Sequence, residues 1–307
     1  NDLLAPLHDG AQFPVASGRM AFTTDSYVVQ PAFFPGGNIG KLAVCGTVND
    51  LAMNGAVPQY LSCGLILEEG LPFDELEAIL STMSDMAKLA NVQIVTGDTK
   101  VVKKGEVDKI YINTAGIGMI PDGIHIGPNV VKPNMDIILS GSIGDHSIAV
   151  MGERFGLELS DSVKTDCAPL NHMVHAVLNA VGPQVALLRD PTRGGVGTVL
   201  KEIAEQSQVG IKVEESKFII HDEVRSVCDI LGYDPLYLAN EGKCIFVVDP
   251  SVTNDVLDIL HSYPEGREAT HIGVTMDKNI GKVGLQTSIG GVRLVDLLGE
   301  DQVPRIC

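Results

Sequence analysis

The sequence predicts an α+β protein built from two mixed α/β domains, with a short tail at the end. Three observations carry that expectation. The chain has 307 residues, enough for two cores of ordinary size. It is 45% apolar yet only 5% aromatic and has no Trp, the small-aliphatic make-up of packed sheets and helices. Stretches of period two interleave with stretches of helical period, but they do not settle into a regular strand–helix–strand series.

The elements follow in order. After a loop-like start, residues 19–30 (RMAFTTDSYVVQ) alternate apolar and β-branched side chains, a strand that ends near Asp25. Pro35, Gly36 and Gly37 make a turn, and Asn38 is placed to cap the next helix. Small residues (Gly40, Ala43, Gly46, Ala52, Gly55) dominate that helix and permit close backbone approach. A strand at 60–67 precedes an amphipathic helix at 72–90, whose Leu76, Ile79, Leu80, Met83 and Ala87 keep the helical period. Strands at 92–96 and 109–119 complete this half. The Pro- and Gly-rich text PDGIHIGPNVVKP at 121–133 marks the boundary between a domain at 1–128 and one at 129–297. The second domain reads as a strand at 136–140 and a helix from Asp145. Helices follow at 169–181 and 195–206, then a strand at 210–213 and a helix at 222–231. A strand at 243–248, a helix at 252–261, and strands at 272–276, 282–287 and 292–295 complete it. Residues 298–307, LGEDQVPRIC, carry too few apolar groups to hold themselves in place and read as a mobile tail. Fully extended, ten residues reach about 33–36 Å, enough to enter a cleft.

Charge narrows the function. With 22 basic against 39 acidic residues the net charge is −17, which repels nucleic acid and anionic membrane surfaces. An anionic cofactor such as ATP therefore needs local help from Mg²⁺, a few Lys or Arg side chains, or backbone N–H groups. The six cysteines are widely spaced, with no CxxC pair and no Cys/His cluster, so neither a disulfide framework nor a zinc site is expected. Five of them, Cys45, Cys63, Cys167, Cys228 and Cys244, read as ordinary buried thiols. No apolar run approaches the roughly 20 residues that span a bilayer, and the chain reads as cytoplasmic.

Four segments set acids, amides or lysines in glycine-rich or strand-end contexts: FTTDSY (Asp25), GTVNDLAMNG (Asn49, Asp50), TGDTKV (Asp98, Lys100) and ANEGKC (Asn240, Glu241, Lys243). Several carboxylates with one or two lysines are what a Mg²⁺–nucleotide site needs. Taken singly, each is as readily a cap or a turn former. Three glycine-rich turns, at 34–41, 140–147 and 190–197, could cradle phosphate, although none is a Walker A loop or a dinucleotide fingerprint. His172 and His175 lack acidic or thiol partners nearby and read as surface residues. Cys307 is exposed on the tail. It is not a prenylation site, because Pro304 occupies the position that would need the cysteine.

The segments TDSYVV, FFPGGNIGKLAVCGTVNDLA, IVTGDTKVV, SGSIGDHSIA, DPTRGGV, ANEGK and VPRIC occur in this order, from about Ala21 to Cys307. Together they closely resemble the HypE family of hydrogenase maturation factors, within the superfamily of aminoimidazole ribonucleotide synthetase, selenophosphate synthetase and thiamine-monophosphate kinase. That resemblance implies ATP in a cleft between two α+β domains, and a homodimer whose N-terminal sheets join into a barrel. It implies that the carbamoyltransferase HypF loads the C-terminal cysteine. ATP then drives dehydration of the thiocarboxamide to a thiocyanate, and the cyano group passes to iron on a HypC–HypD scaffold. By motif, Cys307 would be the carrier, Glu241 the base, and Lys100 the counter-charge to phosphate. Asp25, Asp50 and Asp98 would hold Mg²⁺ or phosphate, with Gly36, Gly37, Asn49 and Asp145 at the nucleotide. Arg305 would steer the tail, or simply face solvent. The family begins with a His- and Gly-rich segment that this sequence lacks, so a shortened chain with weakened ATP binding is expected. Two other readings stay open. A small-molecule phosphotransferase would have no use for the PRIC ending. A non-catalytic carrier would need no TGDTK or ANEGK.

Overall fold

The computed structural model describes residues 11–15, 18–157, 159, 163–299, 302–303 and 305–307. The loop-like start expected ahead of residue 19 in fact holds a strand at 11–15, paired with residues 18–22; residues 1–10 and tail residues 300, 301 and 304 lie outside the described ones. The chain runs β1 (Ala11–Val15), β2 (Gly18–Tyr27), a small ribbon β3 (Phe33–Phe34) and β4 (Gly37–Asn38), and α1 (Ile39–Met53). It continues with β5 (Val57–Glu68), α2 (Phe73–Leu89), β6 (Gln93–Val102) and β7 (Ile110–Ile120). The second half runs β8 (Asp136–Leu139), α3 (Asp145–Phe155), α4 (Asn171–Val181), β9 (Val185–Arg189), α5 (Gly195–Gln206) and β10 (Gly210–Glu214). It ends with α6 (Asp222–Leu231), β11 (Ile245–Val248), α7 (Thr253–His261), β12 (Thr270–Met276), β13 (Val283–Gln286) and β14 (Val292–Val295).

The strands form a five-stranded sheet in the order β1-β2-β7-β5-β6 and a seven-stranded sheet in the order β14-β13-β10-β12-β8-β11-β9. All pairings in these two sheets are antiparallel except β5 with β6 and β10 with β13. This is the mixed two-domain α+β architecture the interleaved periodicities predict. Helices α4 and α7 cover one face of the larger sheet through Val177, Leu260 and Phe246. Helix α5 covers the other through Val199, Ile203 and Val247. No helix among the described residues is long and apolar enough to cross a membrane.

Helix α1 holds the two halves together. Asn38 caps it, its Oδ1 accepting from the amides of Gly40 (2.9 Å) and Lys41 (3.2 Å). The helix is buried nearly all round, because it lies between the first sheet, α2 and the second half. Its Leu51, Ala52 and Met53 share one apolar cluster with Val174 and Leu178 of α4 and Phe246 of β11. The small residues seen in the sequence make that possible. A Cβ on Gly40 would stand 2.6 Å from the Ile79 carbonyl oxygen of α2, and one on Gly46 would stand 2.2 Å from the Tyr27 hydroxyl.

Further sequence expectations change. The strand expected to stop at residue 96 runs on to Val102, and Gly97 is a point of close contact within it, where a Cβ would sit 2.4 Å from the Cys63 carbonyl oxygen of β5. The run VALLR forms β9, too short to show a period of its own. The tail is docked: Ile306 is only 4% exposed, inside the cluster built on α1, α2 and α3. Backbone hydrogen bonds supply what its few apolar groups could not. Gly40→Ala is expected to destabilise the protein by about 1–3 kcal/mol, because backbone stands where the methyl must go. Urea unfolding would measure that loss.

Candidate active site

The site lies where α1, β2 and the two loops around β9 and β11 meet. Glu241 is placed by its neighbours. Asn240 Oδ1 accepts from the Gly144 amide (2.8 Å), while its Nδ2 donates to the Pro191 carbonyl (3.2 Å). The Glu241 amide donates to Asp166 Oδ1 (3.1 Å), and a Cβ on Gly242 would stand 1.8 Å from the Asp166 carbonyl oxygen. Only glycine fits there. Asn49 closes the arrangement from α1. Its Nδ2 donates to the carbonyls of Ala168 (3.0 Å) and Glu241 (3.3 Å), and its Oδ1 accepts from the Leu170 amide (2.8 Å).

A cavity of about 350 Å³ results, lined by Asp25, Asp50, Asp190, Arg193, Glu241 and Cys307 among others. Asp50 Oδ2 accepts from the Thr23 hydroxyl at 2.7 Å, and Asp25 Oδ1 lies 3.6 Å from the Arg193 guanidinium. Glu241 is 2% exposed, and its Oε1 has no hydrogen-bond partner among the described residues. Burial, together with the charges of Asp190, Asp166 and Asp25, pushes its carboxyl well above the ordinary range. Burial raises Asp190 as well. Partial burial of Arg193 works against its charge, but Asp25, Cys307, Asp50 and Glu241 outweigh that and raise its pKa. Nearby, Lys243 Nζ stands 3.4 Å from Asp166 Oδ2.

Such a pocket can hold a cation with phosphate. Its donors are hard carboxylate oxygens, and one buried carboxylate oxygen lacks a partner. No group of three or more His, Cys, Asp or Glu side chains among the described residues is close enough to cage a metal unaided. Mg²⁺ fits that condition, since it is usually held by one or two carboxylates and completed by phosphate oxygens and water.

Residues 8–120 match the AIR synthase related protein N-terminal domain, and residues 132–286 match its C-terminal domain. The carbamoyl dehydratase HypE of Rhizobium leguminosarum bv. viciae is 49% identical, over 100% of this chain and 88% of that protein. The chain belongs to the HypE family. The HypE of Escherichia coli strain K12 is 45% identical over 97% of this chain and 88% of its own length. The crystal structure of a HypE–HypF complex superimposes with a TM-score of 0.92 at 44% identity, covering 97% of this chain and 96% of that one. HypE in complex with ATP superimposes at 0.91 and 45% identity, covering 100% and 92%. A thiamine monophosphate kinase from Aquifex aeolicus, at 17% identity and a TM-score of 0.67 over 93% and 92% of the two chains, shares the fold alone.

The HypE-family motifs do not all converge within one chain. Asp25, Asp50, Glu241 and Cys307 line the cavity, and Asn49 braces it from behind. Asp98 and Lys100 lie elsewhere. They sit on β6 at the sheet edge, paired with each other (3.0 Å) and largely exposed. The register puts Asp25 opposite Thr114, Thr114 opposite Cys63, and Cys63 opposite Gly97. Asp98 is one residue further on, three strands away and on the other face. The Gly36–Gly37 turn is filled by the second half. A Cβ on Gly36 would stand 3.0 Å from Lys164 Cβ, and the Thr165 amide donates to the Pro35 carbonyl (2.9 Å). Asp145 caps its own region, accepting from Ser142 (2.5 Å) and holding His221 (2.8 Å). Sequence reasoning missed Asp190, Arg193 and Asp166. The DPTRGG block had drawn notice for its glycines, and its charges went unweighed.

Because folding raises the Glu241 pKa, the unfolded chain ionises first as pH rises, and the folded state loses stability above the ordinary carboxylate range. Glu241→Gln is expected to raise the urea midpoint of nucleotide-free protein at neutral pH. The gain should vanish below pH ~4, where the carboxyl is protonated in both states.

Proposed function

We propose that this chain dehydrates a carbamoyl group carried on its own Cys307 to a thiocyanate, at the expense of ATP, for hydrogenase assembly in the cytoplasm. The observation that carries the reading is the tail seated with Cys307 on the wall of the same cavity as Glu241, Asp25 and Asp50. The family's carbamoyl dehydratase name and its HypF-bound and ATP-bound structures support it. In this reading HypF loads the thiol, and a HypC–HypD scaffold receives the cyano group.

Mg²⁺–ATP, when bound, supplies a phosphoryl group that turns the amide oxygen into a leaving group. Asp25 and Asp50 would hold the metal. Glu241, whose Oε1 has no hydrogen-bond partner among the described residues, accepts the protons that must leave the amide nitrogen. Arg193 faces the same anionic groups and balances charge as the oxygen departs. The buried Glu241 and Asp190 make one wall shielded from bulk water, which would hydrolyse the activated amide.

Asp98 and Lys100 keep a role only if a second copy supplies them. The exposed apolar residues Phe22, Tyr60, Ile66, Val95 and Val101 on the first sheet support a homodimer through that sheet. In it, the β6 edge of one protomer would reach toward the partner's cleft and bring Lys100 to phosphate.

Given HypF, carbamoyl phosphate, Mg²⁺ and ATP, the peptide ending in Cys307 should acquire a cyano group, read by mass spectrometry. Glu241→Gln should stop the conversion at the carbamoyl stage, and chelating the metal should do the same. Cyanation that persists in either case would overturn the site assignment. Val101→Glu should shift the protein from dimer to monomer in sedimentation, and an unchanged mass would remove the role given to β6.

A further inference from the structure

The last three residues are gripped mainly by their backbone. The carbonyl of Arg305 accepts from Arg154 Nη2 (2.6 Å), that of Ile306 from His146 Nε2 (3.0 Å), and that of Cys307 from the Val28 amide (3.2 Å). Arg154 is itself held by the Gln30 carbonyl (2.7 Å), and the Arg305 guanidinium reaches Asp108 and the Tyr111 hydroxyl. Of the three donors, one belongs to a wholly buried side chain. His146 is 0% exposed, on the first turn of α3, with its ring set edge-on to Phe34 at 5.6 Å and 88°.

The hydrogen-bond roles of this histidine follow from its neighbours. The Ile306 carbonyl can only accept, so Nε2 carries the proton. In the neutral ring Nδ1 then presents a lone pair, and the Thr165 hydroxyl at 2.7 Å donates into it. Thr165 Oγ1 remains open to accept from the Cys167 amide at 3.0 Å. The direction runs without conflict from Cys167 N–H through Thr165 O–H to His146 and on to the tail. Burial lowers the pKa of the ring, which favours the neutral form this chain of bonds requires. None of these groups touches the reacting atoms.

We propose that His146 is a positioning residue, its tautomer set by Thr165, which seats the penultimate carbonyl and so turns the Cys307 side chain into the cavity that holds Glu241. The proposal deepens the reading above and rests on it for its consequence in the reaction. The seating itself is measurable without any chemistry on the thiol.

The other five cysteines are buried, so Cys307 is the thiol that an uncharged alkylating agent meets first. Its alkylation rate in the unmodified protein, with the label assigned by peptide mapping, reports how often the tail leaves its seat. A buried hydrogen bond of ordinary worth corresponds to about tenfold in such a population. His146→Ala should raise the rate by about that factor. His146→Gln, which keeps an N–H near the same place, should bring it part of the way back. Thr165→Val leaves the ring and removes the hydroxyl that sets its tautomer, so it should also raise the rate, and it carries the test if His146→Ala fails to fold. With the carbamoylated protein, the same variants should slow single-turnover dehydration while loading by HypF stays as fast or becomes faster. A general structural defect would slow both. An alkylation rate unchanged in His146→Ala, or in Thr165→Val where only that variant folds, overturns the proposal. Faster alkylation in the variants beside a wild-type protein that forms no thiocyanate would overturn the dehydratase reading and leave the seating role standing.

Discussion

The cleft depends on one buried amide. Asn49 is 1% exposed, and its single side chain is bonded to Ala168, Leu170 and Glu241, all in the second half, while its own backbone belongs to the central helix of the first. Donor and acceptor ends are both engaged, so the amide has one satisfied orientation. Asp50 follows Asn49 in α1 and the Glu241 carbonyl takes one of its hydrogen bonds, so the same contact that joins the halves fixes how Asp50 and Glu241 stand across the cavity.

Around that contact the site concentrates unfavourable charge. The Glu241, Asp190 and Asp166 side chains are buried together; burial pushes Glu241 and Asp190 up, with the charges of Asp190, Asp166 and Asp25 adding to the effect on Glu241 and that of Asp25 adding to the effect on Asp190. An arrangement of this kind is costly to fold around and is kept where chemistry needs it. Glycines supply the room. Gly242 lets the Glu241 loop lie on the Asp166 backbone, and Gly195, at φ +62°, lets the Arg193 loop tuck beneath Leu238.

Much of this was legible in the residues. Asn38 as a cap, the small residues of α1 and the two-part layering follow from local chemistry that tertiary structure did not override. Asp25, Asp50 and Glu241 stand out only through the ordered set of family motifs, since taken singly each acid reads more readily as a cap or turn former. What escaped depends on pairing between distant strands. The strand reads as ending before Gly97 until β5 is beside it, and nothing in TGDTK says that Asp98 faces away from Asp25. The docked position of the tail is illegible for a related reason. Its side chains are poor in apolar area, but its carbonyls find donors on Arg154, His146 and Val28, and backbone leaves no mark in composition.

The apolar cluster that runs from α1 into α4 has a consequence for traffic through the protein. Swinging the halves apart would bare Leu51, Met53, Val174 and Leu178, at about 1.5–3 kcal/mol each, a sum comparable to the entire margin by which a domain stays folded. The hinge is in effect welded. What can move without that cost is the light arm that ends in Cys307, held at its tip by hydrogen bonds from Arg154, His146 and Val28.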